Sequence, residues 1–290
     1  MQSLDGRVAV VTGGAGGIGR ALGEAFGRAG MKVVLADVQP EPLDKTVAEL
    51  RNEGIDVISV PTDVGVWDSV AALRDATLEA FGAVHVVCNN AGIGAGAEGA
   101  MWEHELRDWE WALAVNVWGV IHGINAFVPV LLEQEEGHVV NTSSGNGGIS
   151  PLPSTPQYAA TKAAVVTLTE CLYGQLDGTN VSASVLFPGP HMLRTGLFES
   201  WRSRPDRFAK TRPRQTPYTT VEDLEKQMEA AGVPIAYTEP ADVASAVVEG
   251  IRAERFWIHP DNPRSDAALR MRTESILARA NPDYLRAVPG

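Results

Sequence analysis

The feature that most narrows the fold is a glycine-rich stretch, Thr12-Gly13-Gly14-Ala15-Gly16-Gly17-Ile18-Gly19, set between a strand pattern and a helix pattern. Before it runs Val8-Ala9-Val10-Val11, apolar on both faces. After it, Ile18, Leu22, Ala25, Phe26 and Ala29 recur at helical spacing until Gly30. A strand that is apolar on both faces needs cover on both sides, which a parallel sheet wrapped in helices supplies. A glycine turn that leads such a strand into a helix lets main chain approach a pyrophosphate. The helix N-terminus then adds unpaired N–H donors and positive potential. The glycines fit two registers, G-x-G-x-x-G on Gly14, Gly16 and Gly19, or G-x-x-x-G-x-G on Gly13, Gly17 and Gly19. Spacing alone does not choose between them.

The same strand-then-helix unit repeats along the chain. Further strand patterns are Lys32–Asp37, Asp56–Pro61, Val84–Asn89, His138–Thr142, Val181–Phe187 and Phe256–His259. Helical patterns run over Pro40–Gly54, Trp67–Phe81, Glu103–Glu133, Gln157–Asp177 and Pro240–Glu254. This alternation predicts an α/β fold, a doubly wound (Rossmann) parallel sheet of about seven strands with helices on both faces. No linker or internal repeat divides residues 1–290, so a single domain is expected. The pattern breaks at about 190–237, read as a substrate-loop or lid insertion. A C-terminal helical extension is expected at about 261–290. Within the insertion Arg194, Arg202, Arg204, Arg207, Arg212 and Arg214 crowd together with Lys210. They read as a solvated segment pairing with Glu222, Asp223, Glu225 and Glu229, in preference to a lid that grips an anionic substrate.

A formal net charge of −12 excludes broad nucleic-acid binding and an anionic membrane surface, both of which need a basic face. Trp111–Leu132 carries no Asp, Glu, Lys or Arg and is long enough to span a bilayer. Its Asn116, His122, Asn125 and Pro129 favour instead a helix buried in the core or a subunit interface. The two cysteines, Cys88 and Cys171, read as small core residues outside any disulfide or zinc spacing. With a strand pattern starting at Arg7 and no signal peptide read before it, a cytoplasmic location is expected. The six histidines show no metal-ligand spacing, so no metal is expected.

Asp37 ends the second strand pattern, 18 residues beyond Gly19. A carboxylate there can accept hydrogen bonds from ribose hydroxyls and repels a 2′-phosphate. No Arg or Lys lies in Gly13–Gly19 or at Val38-Gln39, so NAD is favoured over NADP.

Tyr158 and Lys162 stand at i and i+4, on one helix face. Alone, such a pair reads as a solvated surface. A phenol titrates near ~10, so acting as a base near neutrality needs a shift of about three units, which a neighbouring cation favours. Ser143-Ser144-Gly145-Asn146-Gly147 follows one strand pattern and Asn89-Asn90-Ala91-Gly92 ends another. Both fall at the carboxyl edge of the expected sheet, where open α/β sheets bind ligands.

Taken together these motifs resemble the short-chain dehydrogenase/reductase family, from about Leu4 to Gly189. The resemblance selects the register on Thr12-Gly13 and Gly17-Ile18-Gly19, with Gly16 kept among the cofactor contacts. It implies that Asp63-Val64 contacts adenine, that Asn90, Ala91 and Gly92 lie beside the cofactor, and that Pro188-Gly189 turns against the nicotinamide. Asn116, Ser144, Tyr158 and Lys162 correspond to the catalytic tetrad, Tyr158 and Lys162 touching the cofactor as well. Tyr158 is then the general acid or base, and Ser144 polarises the substrate oxygen, with Ser143 as the alternative hydroxyl. Lys162 holds the ribose and lowers the tyrosine, and Asn116 anchors a water. The family places a Thr soon after the Pro-Gly turn; here Pro190 to Arg194 intervene before Thr195. The implied activity is hydride transfer between NAD and a secondary alcohol or ketone. The alternatives are an NADPH-dependent carbonyl reductase and a catalytically silent NAD-binding sensor or scaffold. A homodimer or homotetramer, built on the helices at 103–133 and 157–177, is the expected assembly.

Overall fold

The computed structural model describes residues 1–94, 98–189, 191–193, 195–212, 220–230, 232 and 235–287. Arg194 and Arg214 of the arginine cluster lie outside them.

Seven strands form one sheet: β1 (Val8–Thr12), β2 (Lys32–Asp37), β3 (Val57–Pro61), β4 (Val86–Asn89), β5 (Gly137–Thr142), β6 (Val181–Leu186) and β7 (Trp257–Ile258). The order is β3-β2-β1-β4-β5-β6-β7 and every pairing is parallel. Every residue of β1 and β5 is buried, as strands apolar on both faces require. The chain winds outward from β1 to β3, then returns to lay β4 on the other side of β1. Loops leaving β1 and β4 therefore part at the carboxyl edge and open a crevice there.

Helices cover both faces. Against one lie α1 (Gly17–Arg28), α2 (Pro40–Asn52) and α8 (Pro240–Arg252), through a cluster that includes Leu22, Phe26, Leu43, Val47, Val247 and Ile251. Against the other lie α3 (Trp67–Phe81), α5 (Gly119–Glu133) and α6 (Pro156–Gln175), through Leu73, Phe127, Leu131 and Leu172. The insertion contributes α7 (Val221–Ala230), and the extension α9 (Pro263–Ala278) and α10 (Tyr284–Ala287).

Several expectations change. The helix expected over 103–133 is two, α4 (Leu106–Leu113) and α5, joined by a π-turn at Ala114–Trp118 that faces Asn116 inward. Only one side of this rod is buried; Leu113, Trp118 and Leu132 are exposed. Cys88 is buried as expected, but Cys171 is exposed, because α6 turns that position outward. The insertion holds one isolated bridge, Met192 to Tyr237. No residue of α9 is buried; Arg272 Nη1 ties it to the Ile149 carbonyl at 2.9 Å.

Candidate active site

The glycine turn needs glycine at positions of both registers, for a Cβ on Gly14 would lie 2.8 Å from Leu35 Cβ. Gly13 and Gly17 have φ of +72° and +52°, the left-handed region that favours glycine, and a Cβ on Gly19 would lie 2.0 Å from the Gly13 carbonyl oxygen. Gly16 differs: its φ is −174° and a Cβ there would meet nothing within 4 Å. Any need for glycine at 16 thus comes from outside the chain. Gly16 is also the N-cap of α1 and offers no side-chain cap, so the first N–H groups of the helix point out of the turn without a protein acceptor of that kind. Thr12 knits this turn to the one after β4. Its hydroxyl accepts the N–H groups of Asn90 and Ala91, both at 3.0 Å, and donates to the Cys88 carbonyl.

Asp37 stands at the end of β2 with its carboxylate turned back toward the turn. It accepts the Ala15 N–H at 3.1 Å and the Gln39 N–H at 3.0 Å. Burial pushes its carboxyl above the ordinary value, against the pull of those N–H groups. A carboxylate has about four acceptor sites, so both oxygens keep capacity for ribose hydroxyls. The open Gly16, the uncapped helix start and this carboxylate together fit a dinucleotide.

Beyond the glycines, α6 rises past the end of β5. Ser144 and Tyr158 both lie on the wall of the crevice there. Ser143 is spent elsewhere: its Oγ donates to the Lys162 carbonyl at 2.8 Å. That commitment of Ser143 to main chain favours Ser144 of the two candidate serines. Lys162 is buried, its Nζ donates to the Thr142 carbonyl at 2.9 Å, and it lies 5.7 Å from the Tyr158 ring centroid. Burial brings the ammonium down to about 8. It also pushes the Tyr158 phenol up, opposed by the Ser144 hydrogen bond, so the protein's own groups do not produce the lowering expected from Lys162. Asn116 borders the same place. A Cβ on Gly92 would sit 3.3 Å from Lys162 Nζ and 3.4 Å from Asn116 Oδ1. The Asn116 amide accepts Ile93 N–H at 2.9 Å and donates to the Ile93 carbonyl and Thr161 Oγ1, both at 3.0 Å, which uses both of its donors and leaves its oxygen one acceptor site.

One cavity of about 840 Å³ joins these parts. Of the catalytic and cofactor-contacting residues that the resemblance implies, from Gly13 to Gly189, all but Asn116 and Gly189 lie on its wall. Sequence reading missed Ile93, Glu98, Trp111, Leu197 and Phe198, which complete that wall without belonging to any motif.

A family model described as short chain dehydrogenase matches residues 7–206. The chain belongs to the short-chain dehydrogenase family. A 1-deoxy-11-beta-hydroxypentalenate dehydrogenase of Streptomyces exfoliatus is 35% identical over 272 residues, 93% of this chain and 88% of that protein. A short-chain dehydrogenase/reductase from Burkholderia phymatum, solved in complex with NAD, is 43% identical with a TM-score of 0.85, covering 97% of this chain and 98% of that one. A metagenomic short-chain oxidoreductase in complex with NADP is 26% identical, with a TM-score of 0.64 over 86% of this chain and 92% of that one.

As a short-chain dehydrogenase the protein is an oxidoreductase that takes a nicotinamide cofactor and a small-molecule substrate. Its insertion forms a strap over the crevice. Thr195 packs on the glycine turn, where a Cβ on Gly17 would meet its Cγ2 at 3.0 Å. Farther along, Arg207 pairs with Asp63 at 2.7 Å, while Arg204 and Lys210 converge on Asp108 at 2.7 and 3.7 Å. Arg204 also lies 4.9 Å from the Trp111 ring, and Arg202 pairs with Glu199. Thr211 and Arg212 donate to Glu105 and hold its carboxyl down at about 2, the Thr211 hydroxyl contributing most. Among the described residues, Arg202, Arg204, Arg207 and Lys210 thus meet carboxylates at the β3–α3 turn, on α4 and within the strap itself, where the sequence reading expected the acidic residues at 222–229. Those four are held by protein carboxylates, which disfavours their gripping an anion.

Proposed function

We propose that this short-chain dehydrogenase moves a hydride between NAD and the carbinol or carbonyl carbon of a bulky, apolar secondary alcohol or ketone. The observation that carries the reading is that Ser144, Tyr158 and Lys162, with Lys162 Nζ 5.7 Å from the tyrosine ring, share the wall of the cavity that also holds the glycine turn.

In oxidation, Tyr158 Oη takes the proton leaving the substrate hydroxyl; in reduction it returns one. Ser144 Oγ holds the same substrate oxygen, steadying charge on it and keeping it within reach of the phenol. Lys162 Nζ, buried beneath the Tyr158 ring, favours phenolate by its charge and is the group to hold the nicotinamide ribose. Gly13, Gly16, Gly17, Ile18 and Gly19 would cradle the pyrophosphate, and Asp37 the adenosine ribose. Asp63, Val64, Asn90, Ala91, Gly92, Pro188 and Gly189 would flank the rest. When bound, the nicotinamide supplies the hydride acceptor or donor. Asn116 acts through position: its amide braces Ile93 and Thr161, and the remaining acceptor site of its oxygen, or its main chain, would hold a water.

Ile93, Trp111, Val115, Leu152, Leu197 and Phe198 on the cavity wall support a bulky apolar substrate. So does the relative named for a hydroxypentalenate. NAD is supported by Asp37 and by the Burkholderia phymatum neighbour's bound NAD. Assembly as a homodimer or homotetramer through α5 and α6 is part of the same reading, supported by exposed Leu132 and Tyr173.

The test is a panel of secondary alcohols followed by nicotinamide absorbance, in wild type and Tyr158→Phe. Tyr158→Phe is expected to lower kcat by about 10²–10⁴-fold. A wild-type rate in that variant would remove Tyr158 from the mechanism. Tighter binding of NADP than of NAD would move the reading to the NADPH-dependent reductase.

A further inference from the structure

The cavity wall carries four carboxylates besides its polar and apolar residues: Asp37, Asp63, Glu98 and Glu199. Three have protein donors. Asp37 accepts two main-chain N–H groups, Asp63 accepts Gly65 N–H and pairs with Arg207, and Glu199 pairs with Arg202. Glu98 is the exception among the described residues: its Oε2 is shut away from solvent and makes no hydrogen bond. A carboxylate oxygen kept from water without a donor is costly, because its lost hydration is not replaced.

Its position gives that cost a use. Gly99 donates its N–H to the Ser154 carbonyl at 2.7 Å, so the Glu98–Gly99 turn is fastened to the segment that leads into α6 and Tyr158. Glu98 therefore belongs to the substrate side of the cavity, with Ile93, Trp111 and Leu152 as apolar neighbours on the wall. The lysine and arginines described on the cavity wall have partners of their own: Lys162 the Thr142 carbonyl, Arg207 Asp63 and Arg202 Glu199.

We propose that Glu98 is a specificity-determining residue, accepting a hydrogen bond from a donor that the substrate carries away from its reacting carbon. A second hydroxyl fits best, since it satisfies the carboxylate while leaving the rest of the molecule apolar. An ammonium group offers the same donor chemistry. This rests on the alcohol dehydrogenase reading above and adds a polar anchor to it.

The experiment uses three alcohols of one aryl skeleton with NAD: the plain secondary alcohol, its analogue with a second hydroxyl at the far end, and its analogue with an ammonium there. In wild type, kcat/KM for the diol is expected to exceed that for the plain alcohol by about tenfold or more. Glu98→Leu should bring that ratio close to one. Glu98→Gln keeps the size and one acceptor, so it should retain part of the diol preference and lose any preference for the ammonium. Ratios near one for both donors in wild type overturn the proposal, as do wild-type ratios that persist in Glu98→Leu. If Glu98→Leu does not fold, unchanged ratios in Glu98→Gln overturn it and reduced ratios support it. Failure of wild type to oxidise any alcohol would strike the dehydrogenase reading instead. Calorimetric titration of the diol in the presence of NAD then decides Glu98 separately: about tenfold weaker binding in the variants supports it, and equal Kd sinks it.

Discussion

Lys162 is an ammonium taken out of water with a single neutral partner, the Thr142 carbonyl. Burial lowers it from its ordinary value of 10.5 to about 8, so the native protein resists the charge that the site needs. The sign follows from proton linkage. Between about pH 8 and 10.5 the unfolded chain keeps a proton that the native lysine releases, so stability rises through that window. Below about pH 8 the full penalty is present, on the order of 3 kcal/mol. Lys162→Met is therefore expected to be more stable than wild type at pH 7 by about 1–3 kcal/mol, while losing activity. Denaturant midpoints measured from pH 7 to 10.5 should show the gap closing. A gap that stays constant would mean the charge is not what burial penalises. The i, i+4 spacing of Tyr158 and Lys162 made the pair legible in the sequence; the burial of Lys162, with its Nζ on the Thr142 carbonyl of β5, was not.

At the scale of elements, the strand–turn–helix unit of β1 and α1 separates what the fold needs from what a ligand needs. Gly19 cannot carry a side chain, since a Cβ would lie 2.0 Å from a main-chain oxygen. Gly16 can, as far as the chain itself is concerned. Gly19→Ala should cost about 1–3 kcal/mol of stability as well as cofactor binding. Gly16→Ala should leave stability within about 0.5 kcal/mol of wild type and weaken dinucleotide binding by about tenfold. Thermal melts and fluorescence titration with NAD check both. If Gly16→Ala binds NAD as wild type does, Gly16 leaves the cofactor set. The break between α4 and α5 was hidden for a related reason. From Trp111 to Leu132 no charged residue marks a change of face, so the main-chain pattern of the π-turn at Ala114–Trp118 was not legible; Asn116, braced on Ile93 and Thr161, sits at its centre.

Across the whole molecule, Leu106–Glu133 is long and apolar enough to cross a membrane by length and composition. One side of it packs on the sheet through Val120, Phe127 and Leu131. The other leaves Leu113, Trp118 and Leu132 exposed, next to a helix that exposes Tyr173. Apolar side chains concentrated on two neighbouring helices are a costly surface for a lone monomer. Light scattering at micromolar concentration is expected to show a dimer or tetramer, and Leu132→Glu with Tyr173→Glu to weaken it by about tenfold or more. A monomeric wild type at that concentration would overturn the assembly. The strap is a whole-molecule feature as well, since Arg207 and Asp63 lie 144 residues apart in the chain.

What the amino-acid order determined by itself is local and periodic: strands apolar on both faces, helices between them, the glycine turn, and the tyrosine one turn from its lysine. Those follow from the repeat lengths of strand and helix and from the backbone freedom of glycine. Tertiary structure decided that Ser143 is tied to the Lys162 carbonyl, which carboxylates hold the described cations of the strap, and that Cys171 faces outward. It also left the Glu98 oxygen in the cavity without a donor. The reason is physical: hydrogen-bond and ion-pair partners are set by distance in space, and residues far apart in the chain share no repeat that would announce their meeting.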